Sequence, residues 1–283
     1  MTAKYNILFF FAFFLLALGC SEIPPVVTPD TGGSGGPGGP LSQQPRQVLI
    51  EEFTGIRCVN CPAGSEAIET LLGIHGTQLV AVSIHAGFFS LPPYPESRDT
   101  LATATGRSIL SLLGSPLGYP TAVVNRKQFD GEENRQIGQS SWPGYIAEEL
   151  LTPPRIRIGL ETSFDSASRQ LTVDTDLFPT EDINEPDVRL TVYLIENKVI
   201  DSQLTPAGQV NDYEHKHVFR EALTPFDGER LTEDLRTDQV VRRSYTFTVP
   251  AKYEIENCHV VSFVSLGGSD LEVLQAHEVP VVE

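Results

Sequence analysis

The sequence predicts an α/β domain followed by an all-β domain. In the first half of the chain, short apolar runs typical of buried strands alternate with segments whose apolar residues repeat at helical spacing. In the second half, short segments alternate polar and apolar residues and are separated by turn residues. We therefore divide the chain into residues 1–19, 20–46, 47–152 and 153–283.

Residues 1–19 are typical of a signal peptide. Lys4 supplies a positive charge, and the apolar run from Ile7 to Leu18 follows it. That run is too short to span a bilayer of about 30 Å, which needs about 20 helical residues. It ends at Cys20 in a sequence that resembles a lipobox, where bacteria acylate a cysteine and cleave before it. We predict that Cys20 is lipidated and anchors the chain to a membrane; a cysteine placed there by chance is the alternative.

Residues 20–46 are dominated by Gly, Pro, Ser and Thr, and they have little to bury on folding. We predict that this stretch is a flexible tether and that the folded part starts at residue 47. The chain has a formal net charge of −17. This charge argues against nucleic acid or an anionic membrane face as a partner, because both recruit basic patches.

The elements of residues 47–152 follow the alternation of strands and helices that is typical of α/β proteins. Predicted strands and helices alternate in this order: strand Val48 to Phe53, helix Pro62 to Leu72, strand Leu79 to His85, helix Ser97 to Leu113, strand Thr121 to Asn125, and a last helix from Trp142 to Leu151.

Two of the four cysteines, Cys58 and Cys61, lie at the first predicted turn from strand to helix. A helix N-terminus favours the thiolate, which is the reactive form of cysteine, and Arg57 adds a second favourable charge. The spacing brings Cys61 back one turn later, where a small disulfide can close. We predict that Cys58 attacks and that Cys61 resolves the mixed disulfide.

Two other interpretations of the pair remain open. A structural zinc site needs four ligands, but the only spare thiol beside the pair is the distant Cys258, although His75 and His85 are present. A purely structural disulfide is the stronger alternative. We predict no metal and no cofactor.

The segment from Leu49 to Pro62 resembles the active-site segment of thioredoxin-fold proteins, and Tyr119-Pro120-Thr121 resembles their second hallmark. The resemblance implies a thioredoxin-like domain in which Pro120 follows a cis peptide bond and faces the cysteines. It also implies that the Tyr119 backbone pairs with a substrate chain, so we assign Tyr119, Thr121 and Arg57 to substrate binding.

The same resemblance implies that Glu52 is a buried acid that exchanges a proton with the resolving thiol. Glu51 competes for this role, because neighbouring strand residues face opposite sides. Two departures leave the redox direction open: Arg57 replaces an aromatic residue, and Val59-Asn60 replaces Gly-Pro between the cysteines.

The pattern of the second half predicts an antiparallel β-sandwich with an immunoglobulin-like arrangement. Predicted strands include Arg155 to Leu160, Val188 to Ile195 and Val260 to Leu266. His215 and His217 would share one face of a strand and could hold a metal with Glu214 or another ligand, but two ligands alone do not make a metal site. Cys258 is interpreted as the start of a buried strand.

The whole layout resembles the Omp28-type outer-membrane lipoproteins of Bacteroidetes, through the segments Thr54 to Pro62 and Tyr213 to Arg220. This resemblance implies a location in the outer membrane, either periplasmic or at the cell surface. Our hypothesis is a membrane-anchored thiol–disulfide oxidoreductase that acts on protein thiols and disulfides or with a redox partner. The alternative is a surface binding or adhesion lipoprotein in which the thioredoxin fold is a non-catalytic scaffold.

Overall fold

A computed structural model describes residues 43–282. The predicted signal peptide, Cys20 and most of the predicted tether lie outside these residues. The described part has three α-helices: α1 (Cys61–His75), α2 (Ala104–Leu113) and α3 (Trp142–Leu150). Its strands are β1 (Val48–Thr54), β2 (Leu79–His85), β3 (Thr121–Val124), β4 (Ile137–Gly138), β5 (Ile156–Asp165), β6 (Gln170–Pro179), β7 (Val188–Glu196), β8 (Val199–Thr205), β9 (Gly208–His215), β10 (Val218–Ala222), β11 (Glu229–Arg230), β12 (Val241–Thr248), β13 (Cys258–Leu266) and β14 (Val273–Pro280).

One nine-stranded sheet runs through both halves of the chain. Its order is β14-β13-β7-β10-β2-β1-β3-β4, and β11 pairs with β7 outside this path. The halves join where β10 lies parallel to β2, with Val218 opposite Ser83, while β10 lies antiparallel to β7 on its other side. Strands β12, β6 and β5 form a second sheet, and β8 and β9 form a separate hairpin.

The predicted fold class, an α/β thioredoxin-like domain followed by an immunoglobulin-like sandwich, is therefore wrong. The structure is mostly β, and the strands of the first half do not form an α/β domain of their own because their sheet continues into β10, β7, β13 and β14. The physical reason is the edge of β2, which would leave unpaired N–H and C=O groups if the first half stood alone. Strand β10 pairs with that edge at Ser83. Periodicity in a sequence predicts a strand but not its partner.

The hydrophobic cores also cross between the halves. On one face of the sheet, Leu49 and Ile109 pack in a single cluster with Tyr193 and Phe263 of the second half. On the other face, α1 and α3 cover β1 through residues such as Ile50, Ile68 and Trp142, which are fully or almost fully buried. A third cluster joins the sheet β12-β6-β5 to the second-half strands of the large sheet.

Two predicted boundaries need correction. The helix predicted from Ser97 begins instead at Ala104. The Thr103 hydroxyl caps this helix by accepting a hydrogen bond of 2.8 Å from the Gly106 N–H. The predicted tether reaches too far along the chain, because Gln44 is buried and exchanges two hydrogen bonds with the backbone of Ile158. Among residues 43–282, no helix is both long enough and apolar enough to cross a bilayer.

Candidate functional site

Cys58 and Cys61 form a disulfide at the N-terminus of α1, with their Cα atoms 5.4 Å apart. Helix α1 begins at Cys61 and has a proline in its first turn, where the missing N–H costs no helical hydrogen bond. Cys58 is 3% exposed and Cys61 is 1% exposed, while Val59 between them is 40% exposed. Both cysteines are therefore buried, while the two residues between them, Val59 and Asn60, are exposed.

Pro120 lies against the helix that begins at Cys61. The Tyr119–Pro120 peptide bond is cis, and β3 starts at the next residue, where Thr121 pairs with Phe53 of β1. A Cβ added to Gly64 in α1 would lie 2.7 Å from the Pro120 Cβ. Glycine at this position lets the proline approach the helix closely, and it is a site residue that the sequence analysis did not single out.

Glu52 lies on the same side of the sheet, beneath α1. Its side chain is fully buried, and the Oε2 atom accepts a hydrogen bond of 3.0 Å from the Ser83 hydroxyl. The Oε1 atom has no hydrogen-bond partner among the described residues, and a Cβ on Gly64 would come within 2.6 Å of it. Burial raises the pKa of Glu52 to about 8, although the Ser83 hydrogen bond acts in the opposite direction.

Glu51 faces the opposite side of the sheet and is fully engaged there. The Arg126 guanidinium donates hydrogen bonds of 2.7 Å to both carboxylate oxygens and a third, of 2.9 Å, to the Tyr193 hydroxyl. Burial alone would lower the pKa of Arg126, but Glu51 and Tyr193 outweigh it and hold the pKa above its ordinary value. A carboxylate paired in this way has no free oxygen for proton exchange with a thiol, so the geometry favours Glu52.

The remaining predicted site residues make local contacts. Arg57 donates a hydrogen bond of 2.6 Å from Nε to the Pro92 carbonyl, and its guanidinium lies 4.2 Å from the centre of the Tyr94 ring. The Tyr119 hydroxyl donates to the Ala86 carbonyl at 3.2 Å. Thr121 is buried and donates to the Ile137 carbonyl at 3.0 Å. Arg57 and Thr121 thus shape the loop and strand around the cysteines.

The hairpin of β8 and β9, in the second half of the chain, contacts residues 55–58, which we call the cysteine loop. Gln203 donates through Nε2 to the carbonyl oxygen of Cys58 at 3.0 Å and to that of Gly55 at 3.4 Å. The Leu204 N–H donates to the Ile56 carbonyl at 2.7 Å. No pattern in the sequence signals these contacts, since Cys58 and Gln203 are 145 residues apart.

The predicted pair of His215 and His217 does not share a site. His215 is buried with its ring centroid 5.2 Å from that of His85, whereas His217 turns away at φ 53° and binds Glu69 at 2.9 Å. Burial is the main cause that lowers the pKa of His215 to about 4 and the pKa of His85 well below its ordinary value. Within residues 43–282, no three His, Cys, Asp or Glu side chains are grouped so that they could hold a metal ion.

Cys258 is a free thiol in the core at the start of β13. Burial is the first cause that raises its pKa to about 12, and the nearby Glu196 adds to the effect. Such a thiol is a poor nucleophile at neutral pH, because the thiolate is the reactive form.

The sequence profile of one protein family, described as outer membrane protein Omp28, matches residues 115–283. The chain belongs to the Omp28 family. This membership confirms the family predicted from the sequence, and it confirms the predicted location in the bacterial outer membrane. No curated protein sequence matches this Omp28-family chain.

Solved structures with similar folds include HBP35 of Porphyromonas gingivalis, with a TM-score of 0.67 and 19% identity, covering 88% of this chain and 77% of HBP35. Protein AGR_C_4864 from Agrobacterium tumefaciens has a TM-score of 0.52 and 13% identity, covering 85% of this chain and 97% of its own. A domain of the outer membrane lipoprotein Omp28 from Porphyromonas gingivalis matches 45% of this chain and 88% of the domain, with 20% identity and a TM-score of 0.32. At these identities, the first two likenesses show the fold alone.

Proposed function

We propose that this Omp28-family protein is a thiol–disulfide oxidoreductase of the cell envelope, anchored to the outer membrane through acylated Cys20. One observation carries the proposal: the Cys58–Cys61 disulfide stands at the N-terminus of α1, and Gly64 in the first turn of the same helix lies against the buried carboxyl of Glu52, which has no cationic partner among the described residues. A disulfide that only strengthens the fold needs no such carboxyl, and burying one is costly.

The chemistry is a two-step exchange that balances in either direction. The Cys58 thiolate attacks a disulfide of a substrate protein, forms a mixed disulfide and releases one substrate thiolate. The Cys61 thiol then loses its proton and attacks the Cys58 sulfur, which releases the second substrate thiolate. The substrate gains two electrons, the cysteine pair loses two, and a dithiol partner protein must return them. In the reverse direction the same steps oxidise a substrate dithiol, and a disulfide partner takes the electrons.

Glu52 exchanges a proton with Cys61 in both directions of the disulfide exchange. With a pKa of about 8, its carboxyl is mostly protonated at neutral pH and donates a proton to the Cys61 thiolate when the disulfide opens. Above pH 8 the carboxylate accepts that proton when the disulfide closes. The pKa thus lies within reach of the thiol's own ordinary value of about 8.5, which favours transfer both ways.

The other site residues support this exchange. Pro120 lines the path by which a substrate reaches the cysteines, and the main chain of Tyr119 pairs with the substrate segment. Arg57 and Thr121 act as positioning residues, because their side chains bind the loop carbonyl of Pro92 and the carbonyl of Ile137.

A trapping experiment tests the proposal. In a Cys61→Ser variant, Cys58 can form a mixed disulfide with its substrate but cannot be resolved. Expressed in the envelope of its host, this variant should accumulate adducts with other proteins that dissociate under dithiothreitol, whereas a Cys58→Ser/Cys61→Ser variant should not. If Cys61→Ser collects no adducts while it is folded and correctly located, the oxidoreductase proposal fails.

A second candidate function is supported by the burial of the disulfide, with Cys58 only 3% exposed and Cys61 1% exposed. In this case the protein is an outer-membrane binding lipoprotein and the disulfide is structural. The Cys58→Ser/Cys61→Ser variant separates the two candidates. A binding protein should lose stability by about 1–2 kcal/mol without the disulfide, because the bond closes only a short loop, but it should keep its phenotype in cells, whereas an oxidoreductase should lose the phenotype.

A further inference from the structure

The β8–β9 hairpin is attached to the rest of the molecule unevenly along its length. It forms its own two-stranded sheet and makes no strand pairing with the nine-stranded sheet. At its base, the Asp201 carboxylate accepts hydrogen bonds from the N–H groups of Arg98 and Asp99 at 3.0 and 2.9 Å. Val199 packs in an apolar cluster with Ile56 and Val218. The base is therefore fixed to two other parts of the chain.

Towards its tip, the hairpin contacts the cysteine loop through polar groups. Gln203 is 2% exposed and binds the carbonyls of Cys58 and Gly55, and the Leu204 N–H binds the carbonyl of Ile56. Beyond Thr205 the hairpin is exposed, with β9 from Gly208 to Asp212 facing solvent. The contacts at Gln203 and Leu204 thus close the hairpin over the residues that precede and include Cys58.

We propose that the β8–β9 hairpin is a displaceable cover of the cysteine pair and that Gln203 is the residue that fastens it. Lifting the hairpin frees the carbonyls of Ile56 and Cys58, which an extended segment of a substrate protein can then engage through its own main-chain N–H groups. The binding of a substrate segment rests on the proposed function. The covering of the disulfide by the hairpin does not, because it concerns only the access of reagents to the cysteines.

Reduction by dithiothreitol measures that access in the full chain in detergent micelles. One thiolate of the reagent attacks a sulfur of the pair, the other cysteine leaves as a thiolate, and the second reagent thiol closes a ring and releases the first cysteine. The pair gains two electrons and the reagent loses two. The rate is read by quenching with a maleimide and counting modified thiols at Cys58 and Cys61 by mass spectrometry.

Gln203→Ala removes the carboxamide donor and keeps the backbone of β8. We expect reduction to be about five- to tenfold faster, as for the loss of one hydrogen bond, and we expect a further increase with Gln203→Glu, whose carboxylate faces two carbonyls. Gln209→Ala is the matched control, because Gln209 lies on the same hairpin but binds Glu96 and Asn211 at the surface. Its rate should equal that of the wild type. The proposal that the hairpin covers the disulfide would be overturned if Gln203→Ala were reduced at the rate of the wild type. It would also be overturned if Gln209→Ala accelerated reduction as much as Gln203→Ala.

Hydrogen exchange in the wild type gives an independent test should Gln203→Ala fail to fold. A cover requires the amides of residues 203–206 to exchange faster than those of β10, which lies inside the large sheet. Equal protection of both segments would contradict the proposal. Faster reduction in Gln203→Ala without any adducts on Cys61→Ser would leave the cover in place while the oxidoreductase function fails, so the two failures are distinguishable.

Discussion

The Ser83 hydroxyl donates a hydrogen bond of 3.0 Å to Glu52, and this is the one hydrogen bond that the buried carboxyl receives among the described residues. The two residues lie opposite each other in the parallel pair of β1 and β2. The neighbouring Glu51 is neutralised by Arg126 on the other face of the sheet. Two adjacent carboxyls on one strand thus have different electrostatic environments: the Arg126 guanidinium lies against Glu51, whereas no cation of the described residues pairs with Glu52.

Glu52 should make stability depend on pH. Its folded pKa of about 8 lies above the ordinary value of 4.5, so the folded state binds the proton more tightly. The contribution is fully present below pH 4.5 and is lost as the pH rises through 8. We expect the free energy of unfolding to fall by on the order of 3–5 kcal/mol between pH 5 and 9 from this group, and Glu52→Gln to remove that fall. Urea denaturation at both pH values measures it; an unchanged slope in Glu52→Gln would contradict the raised pKa.

Gly64 should be intolerant of a side chain. Its Cβ would lie 2.6 Å from Glu52 Oε1 and 2.7 Å from Pro120 Cβ, so Gly64→Ala should cost about 1–3 kcal/mol of stability. Gly73 on the same helix has nothing within 4 Å of an added Cβ, and Gly73→Ala should stabilise the protein by about 0.5–1 kcal/mol. Thermal denaturation compares the two variants, and equal effects would show that the helix does not approach Pro120 closely.

The buried pair of Arg126 and Glu51 should be costly to break. Both side chains are almost completely buried, so Glu51→Gln leaves the guanidinium charge without its partner and should cost about 3–5 kcal/mol. The exposed pair of Arg98 and Asp212 is the control, and Asp212→Asn should cost less than about 1 kcal/mol. Chemical denaturation gives both values. A small effect of Glu51→Gln would mean that water reaches the pair.

His215 should make the protein sensitive to acid. Its folded pKa of about 4 lies below the ordinary value of 6.5, so the stability that it contributes is present above pH 6.5 and lost as the pH falls through 4. The loss should be on the order of 2–4 kcal/mol, and His215→Leu should reduce the slope without removing it, because burial also lowers the pKa of His85 and of His277. If His215→Leu keeps the full slope between pH 7 and 4, the imidazole is not buried as described.

Local features of the sequence predicted the local features of the structure. The apolar runs gave β1 and β2, and the helical spacing after Cys61 predicted α1, because burial on one face leaves a period in the sequence. Non-local pairing leaves no such period. For this reason the sequence could not show that β10 joins β2, and the predicted fold class failed at that edge.

The candidate site divides in the same way. The cysteine spacing and the position of Glu52 were visible in the sequence, since both lie within one strand and the turn that follows it. Gln203 was not visible, because its contact with Cys58 joins segments 145 residues apart and a glutamine in a strand carries no distinctive signal. Gly64 could have been noticed as a glycine inside a predicted helix, which costs stability unless close packing requires it.

The reduction potential of the Cys58–Cys61 pair tests the central claim most directly. The pair is equilibrated against glutathione buffers of graded ratio, and the free thiols are trapped and counted. If the pair exchanges disulfides with other proteins, its potential should lie between about −120 and −270 mV, the range of known dithiol oxidoreductases. A potential below about −300 mV, or a pair that does not exchange with glutathione, would identify a structural disulfide and contradict the oxidoreductase function.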